Sequence, residues 1–243
     1  MTGRAIVTGC SKGLGEALCL ELLACGYQVL GISRSTPPIT HPSFTFEKAD
    51  LLDLRTPEAA INRFLTAPSM ADEAFLFNNA GTINPTGPLH LQDPRTIADL
   101  ITLNLTTPLA LMGAFIRAVN AEPTTVGTVV NISSGAGKHP YAGWAPYCGS
   151  KAGLDMASRS VALEQGETGV KIISFSPGVM ETSMQEQIRA MKKSQFPHVE
   201  RFHSLFTEGS LIPPGRVARF LVGALLDNRL PQGATVDYRD LIG

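Results

Sequence analysis

The order of apolar segments predicts a doubly wound α/β fold, a single parallel sheet with helices on both faces. Three observations carry that expectation. Short runs such as Ala5-Ile6-Val7, Ala74-Phe75-Leu76-Phe77 and Val129-Val130 lack the alternation of a half-exposed strand and read as strands buried on both sides. Longer helix-compatible stretches separate them, giving a repeating strand–helix rhythm. The first run also leads straight into Gly9-Cys10-Ser11-Lys12-Gly13-Leu14-Gly15 and then an apolar helix, a strand–turn–helix unit.

Taken in order, strands are expected near 4–8, 27–33, 44–47, 74–78, 127–133, 170–176 and 234–237, with helices near 13–25, 56–67, 94–120, 147–166 and 214–228. Pro37-Pro38 and Pro42 mark a loop rather than a linker. Residues 183–213 carry Met184, Ile188, Met191, Phe196, Val199, Phe202, Leu205 and Phe206 among polar residues, which predicts one or two short amphipathic helices. They suit a substrate lid, and plain packing helices fit the same pattern. One domain, 1–243, is expected. At 243 residues, 44% hydrophobic and 17% charged, the chain can bury a substantial core.

Charge excludes some function classes. A net charge of −1 and a pI near 6.5, with no basic run, suggest neither nucleic acid nor an anionic membrane as partner. The first strand begins within a few residues of Met1, leaving no room for a leader, and no apolar stretch is expected to reach the ~18 residues of a bilayer span. A cytoplasmic protein is expected. Cys10, Cys19, Cys25 and Cys148 form no Cys-x-x-Cys pair, and His41, His90, His139, His198 and His203 form no metal spacing. Neither disulfides nor a metal site is expected.

The chemistry is concentrated at predicted strand ends. The glycines at 9, 13 and 15 permit a tight turn and close backbone approach, and a helix beginning near Gly13 directs unpaired N–H groups and its positive dipole end forward. A diphosphate fits there, as does an ordinary glycine-rich turn. Asn78-Asn79-Ala80-Gly81 closes another buried strand, where ligands bind in open α/β sheets. Val129–Ser134 delivers Ser134, which stands thirteen residues before Tyr147. Tyr147 and Lys151 are four apart and share a helix face. An ammonium beside a phenol lowers the phenol's pKa, which suits a proton donor. A parallel sheet gathers its carboxyl ends, so Gly13, Asn79, Ser134 and Gly178 should converge.

Thr8-Gly9-x-x-x-Gly13-x-Gly15, Asn78-Asn79-Ala80-Gly81, Asn104, Ser134, Tyr147-x-x-x-Lys151 and Pro177-Gly178-x-x-x-Thr182 occur in one order along the chain. Together they resemble the short-chain dehydrogenase/reductase family over essentially the whole length. The resemblance implies a Rossmann-like domain, a nicotinamide cofactor and a tetrad of Asn104, Ser134, Tyr147 and Lys151. In it Tyr147 would protonate the carbonyl oxygen and Ser134 would orient it. Lys151 would bind the nicotinamide ribose and depress the tyrosine pKa, and Asn104 would hold a relay water. It further implies cofactor contacts at Gly9, Ser11, Lys12, Gly13, Leu14, Gly15, Ser33, Arg34, Asp50, Leu51, Asn79, Ala80, Gly81, Tyr147, Lys151, Pro177, Gly178, Val179 and Thr182, and a homodimer or homotetramer with 94–120 and 147–166 as contact helices.

Within the family, Ser133–Tyr141, Gly143–Cys148, Gly178–Thr182, Met184–Arg189 and Pro231-Gln232-Gly233 are similar to benzil reductases that form (S)-benzoin, and sepiapterin reductases are more distant. Both groups reduce a carbonyl next to another, so a small-molecule vicinal dicarbonyl is the expected substrate. Tyr141, Trp144 and Met184 would line its site, and Asp237 resembles the aspartate that anchors substrate in sepiapterin reductases; a strand-end aspartate satisfied by nearby backbone fits equally. The second strand ends in Ser33-Arg34-Ser35-Thr36, where an NAD enzyme would place an acid for the ribose 2′-hydroxyl. Arg34 and Lys12 instead suit a 2′-phosphate, so NADPH is expected. The expectation is an NADPH-dependent reductase of benzil-type diketones; a sepiapterin-type or ketoacyl reductase, and a non-catalytic NADPH-binding regulator, stand as alternatives.

Overall fold

The run Gly3–Thr8 forms β1, buried along its whole length, with β2 (Gln28–Ser33) on one side and β4 (Glu73–Asn78) on the other. The computed structural model describes residues 3–67, 72–122 and 124–242. Among the described residues, β3 (Phe44–Lys48), β5 (Val126–Ile132), β6 (Lys171–Ser176) and β7 (Thr235–Asp237) complete one parallel sheet of order β3-β2-β1-β4-β5-β6-β7. Strand order reverses beside β1, so the carboxyl ends of β1 and β4 open into the crevice where doubly wound sheets bind ligands.

Alternate strand residues feed opposite faces. Val7, Phe75, Phe77, Ile173 and Phe175 pack with Leu18 and Leu22 of α1 (Gly13–Ala24) and Val217 and Leu221 of α8 (Pro214–Leu226). Ile6, Leu76, Val129 and Ile172 point the other way, onto Ile61 of α2 (Arg55–Leu65), Leu111 and Phe115 of α4 (Thr107–Asn120) and Ala162 of α5 (Ala145–Gln165). Each such side chain contributes about 1.5–3 kcal/mol when fully buried, so the two faces together hold the strand ends in place.

The helix expected over 94–120 is interrupted. α3 (Pro94–Ile101) and α4 are joined by a π-helical turn, Thr102–Thr106, in which the Thr107 N–H reaches back to the Thr102 carbonyl. The cause is Pro108: it has no N–H for the Asn104 carbonyl, and its ring would collide with that carbonyl in a regular α-helix. By length and composition the whole segment Pro94–Asn120 is apolar enough to cross a membrane, contrary to the expectation from the sequence. Here the apolar side of α4 is buried on the sheet.

Residues 183–213 form α6 (Ser183–Arg189) and α7 (Val199–Thr207). Two backbone hydrogen bonds, Glu181 N–H to Ile212 and Ile212 N–H to Val179, pinch the base of this excursion. A short α9 (Tyr238–Leu241) follows β7.

Candidate active site

The turn after β1 is shaped by close backbone approach. Gly9 has φ of +70°, and a Cβ there would lie 2.9 Å from the Ala80 Cα, while a Cβ on Gly15 would meet the Gly9 carbonyl oxygen at 2.2 Å. Only glycine fits either place. Asn79 ties the two strand ends together, donating from Nδ2 to the carbonyls of Thr8 and Gly9, while Thr8 Oγ1 accepts the Asn79 and Ala80 N–H groups. No side chain caps the first turn of α1, which starts at the cavity wall with Gly13 and Leu14. Its N–H groups and dipole end are therefore available to an anion.

That cavity, about 810 Å³, runs from the end of β2 to α6 and α7. At the β2 end it is lined by Ser11, Lys12, Ser33, Arg34, Asp50 and Leu51. Lys12 and Arg34 are exposed. Ser33 is buried and its hydroxyl donates to the Ser35 carbonyl. Asp50 accepts the Leu52 N–H on Oδ1. Further along stand Asn79, Ala80 and Gly81, and opposite them Pro177, Gly178, Val179 and Thr182. Gly15 lies beneath the turn, and a Cβ on Gly13 would sit 3.3 Å from Thr182 Cγ2, so these distant segments do meet.

Tyr147, Lys151 and Ser134 line the centre of the cavity. Tyr147 and Lys151 are 6% and 5% exposed. Burial pushes the Tyr147 phenol above its ordinary value, and a hydrogen bond with Ser134 pulls it part of the way back. The Lys151 ammonium donates to the Ile132 carbonyl at 2.8 Å and lies 6.0 Å from the Tyr147 ring centre. Burial brings its pKa down to about 8, with Asp155 one turn on opposing the shift. The expected depression of the phenol by the ammonium is overridden: desolvation dominates for both groups.

Asn104 is fully buried in the π-helical turn. Its Oδ1 accepts the Thr82 N–H, and its Nδ2 donates to the Thr82 carbonyl and to Ser150 Oγ. The amide ties the loop after β4 to α5. A Cβ on Gly81 would lie 3.2 Å from Asn104 Oδ1 and 3.7 Å from Lys151 Nζ.

Beside α6 and α7, Tyr141, Trp144 and Met184 line the cavity. Trp144 stacks on Phe196, between α6 and α7, with ring centroids 4.1 Å apart and 5° between planes, and touches Phe202 of α7. Asp237, at the end of β7, faces Arg239. Its side chain caps α9 and accepts from Arg239 N, Nε and Nη2, so the carboxylate is spent two residues away and lies outside the cavity lining. Burial raises its pKa, but those bonds and the arginine charge hold it below the ordinary carboxylate range.

Residues that sequence reasoning passed over complete the site. Arg239 lines the cavity in place of Asp237. Arg201 of α7 lines it too, donating to the Tyr141 hydroxyl at 3.2 Å. Ser150, between the tyrosine and the lysine, links Asn104 to the Tyr147 carbonyl. Gln185 of α6 is a buried cavity residue. A polar residue in an amphipathic helix two positions from Ser183 was the available signal for Gln185; nothing local marked the arginines.

The chain is similar to known proteins. The short chain dehydrogenase family model matches residues 4–193. The chain is 40% identical, over 98% of both sequences, to a benzil reductase ((S)-benzoin forming) of Bacillus subtilis. It is 33% identical to the sepiapterin reductase of Meriones unguiculatus over 97% of this chain and 95% of that one. The crystal structure of the KRED1-Pglu enzyme superposes with a TM-score of 0.85 at 26% identity, covering 97% of this chain and 100% of that one. A glycine turn at an uncapped helix start, a buried Tyr–Lys–Ser centre and full-length similarity agree: the chain belongs to the short-chain dehydrogenase family, oxidoreductases that use a nicotinamide cofactor.

Proposed function

We propose that this protein is an NADPH-dependent carbonyl reductase that converts a vicinal diketone of the benzil type into a hydroxyketone. One observation carries the reading: a buried phenol, Ser134 and Lys151 line one cavity together with a cationic, glycine-built turn and an aromatic cluster. The residues present fit a dinucleotide. Gly9 and Gly15 let the turn pack tightly against Ala80 and its own backbone, the first turn of α1 lacks a cap, and Arg34 and Lys12 lie where a 2′-phosphate needs cations. Asp50, Leu51, Asn79 and Thr182 would hold the rest.

The bound nicotinamide would supply the hydride. The chain supplies position and the proton. Tyr147, kept protonated by burial, donates to the substrate oxygen, and Ser134 Oγ bonds the same oxygen. Lys151 stays charged below about 8, so a positive group faces the charge that develops there. Asn104 and Ser150 fix the loop and helix that carry these groups. The apolar lining around Trp144, Phe202 and Ile188 suits phenyl groups and excludes water.

The names of the relatives support carbonyl substrates of this kind. A sepiapterin-like role is weakened by Asp237, whose carboxylate is occupied by Arg239. We further read α6 and α7 as a lid hinged at the Val179–Ile212 bonds. A homodimer or homotetramer through α4 and α5 is supported by exposed Met156 and Leu163, 57% and 85% accessible. Four free cysteines suit the cytoplasm. No nucleic-acid or membrane partner belongs to this reading.

Purified protein assayed with NADPH and NADH against benzil, 1-phenyl-1,2-propanedione, sepiapterin and a ketoacyl thioester tests it. The aryl diketones with NADPH should give the highest kcat/KM. Preference for the thioester, or for sepiapterin, would overturn the substrate class.

A further inference from the structure

The lid wall of the cavity contains an amide with nothing to bond. Gln185 lines the cavity, is 2% exposed, and neither its Oε1 nor its Nε2 has a hydrogen-bond partner. Ile188, three residues on and on the same face of α6, packs in one cluster with Trp144, Tyr147, Phe196 and Phe202. Buried amides are bonded in the great majority of cases, and an unmade bond is unfavourable. A leucine or methionine would fill this place in the lid without that penalty, so the amide needs a partner from outside the chain.

Two neighbouring atoms narrow what that partner offers. Arg189, four residues on, has a buried Nη1 without a partner, and i and i+4 side chains meet on a helix. The two side chains do not bond each other, so Arg189 Nη1 and Gln185 Nε2 both stand as buried donors without an acceptor. Trp144 Nε1 is likewise buried and unpartnered in the cavity lining. The unmet demand at the lid end is therefore for an acceptor oxygen in an otherwise apolar ligand.

We propose that Gln185 is a specificity-determining residue, its Nε2 donating to the second, unreduced carbonyl oxygen of a vicinal dicarbonyl while Tyr147 protonates the first. This rests on the carbonyl-reductase reading above. A site that hydrogen-bonds a substrate oxygen discriminates against the analogue lacking it, because the donor is then left unpaired.

The test compares wild type with Gln185→Leu and with Gln185→Met, which keeps the side-chain length. Benzil and deoxybenzoin, the same skeleton with one carbonyl replaced by CH₂, are assayed with NADPH; apo Tm and NADPH affinity are measured alongside. Loss of one substrate hydrogen bond should lower kcat/KM for benzil roughly tenfold and leave that for deoxybenzoin within about twofold. NADPH affinity should hold, and apo Tm should stay level or rise, because two unbonded polar atoms have gone. Equal losses on both ketones, or a lowered Tm in both variants, would make Gln185 structural. A matching loss of NADPH affinity would assign the amide to the cofactor instead. If the wild type reduces neither ketone, the reductase reading itself fails and takes this assignment with it. If it reduces benzil and the variants keep the benzil-to-deoxybenzoin ratio, only the Gln185 assignment fails.

Discussion

Lys151 Nζ stands 6.0 Å from the centre of the Tyr147 ring, and its hydrogen bond goes to the Ile132 carbonyl at 2.8 Å. The pair shares one face of α5, yet burial moves the two pKa values in opposite directions, each toward the uncharged form: the phenol up, the ammonium down to about 8. At neutral pH the phenol is protonated and the ammonium charged, the states a proton donor and its electrostatic support require.

Lys151→Met should separate function from stability. A lysine whose folded pKa is lowered from 10.5 to about 8 penalises the folded state fully below about 8, and the penalty fades as pH rises toward 10.5. Its magnitude is about 3 kcal/mol. The variant should lose most turnover while its apo stability at pH 7 equals or exceeds wild type, with that advantage shrinking between pH 8 and 10.5. Urea denaturation at pH 7 and pH 10 checks this. An advantage that grows with pH would contradict the buried-charge account.

Asp237→Asn should behave as a structural change. The carboxylate caps α9 and takes two charge-assisted bonds from Arg239, each 2.8 Å long, so the amide should cost about 1–3 kcal/mol. Because the folded pKa lies below the ordinary value, the contribution is present above about pH 4 and lost as pH falls through the folded pKa. The variant's stability deficit should therefore narrow under acid. Its effect on KM should be alike for benzil and sepiapterin; a selective loss for sepiapterin would restore Asp237 as an anchor.

These two residues show where the sequence was readable. Glycine spacing, buried-strand runs and the Tyr147–Lys151 interval are local, and the structure brings Gly13, Asn79, Ser134 and Gly178 to one cavity as strand order requires. Asp237 was legible as a strand-end acid, but which group it bonds depends on Arg239 folding back over α9. The break of 94–120 had a local cause in Pro108, whose missing N–H widens the helix at Asn104. Gln185 and Arg201 reach the cavity only because α6 and α7 dock on Trp144, a contact no local pattern specifies.

Arg34→Asp should invert the cofactor ratio. Arg34 and Lys12 are exposed at the end of the cavity beside β2, and a carboxylate there repels a 2′-phosphate while accepting from a 2′-hydroxyl. The readout is kcat/KM for NADPH over that for NADH. The ratio should fall below one in Arg34→Asp and decline less in Lys12→Ala. An unchanged ratio in both would mean that neither cation reads the phosphate.

Single-turnover reduction of benzil by NADPH-loaded wild type and Tyr147→Phe tests the central claim most directly. The substitution removes one hydroxyl from a buried ring, so fold and NADPH affinity should persist. The chemical step should slow roughly 10²-fold or more, the scale of general acid catalysis, and wild type should release one benzoin enantiomer. A Tyr147→Phe rate within a few-fold of wild type, with chemistry rate-limiting, would remove the phenol as proton donor and contradict the account.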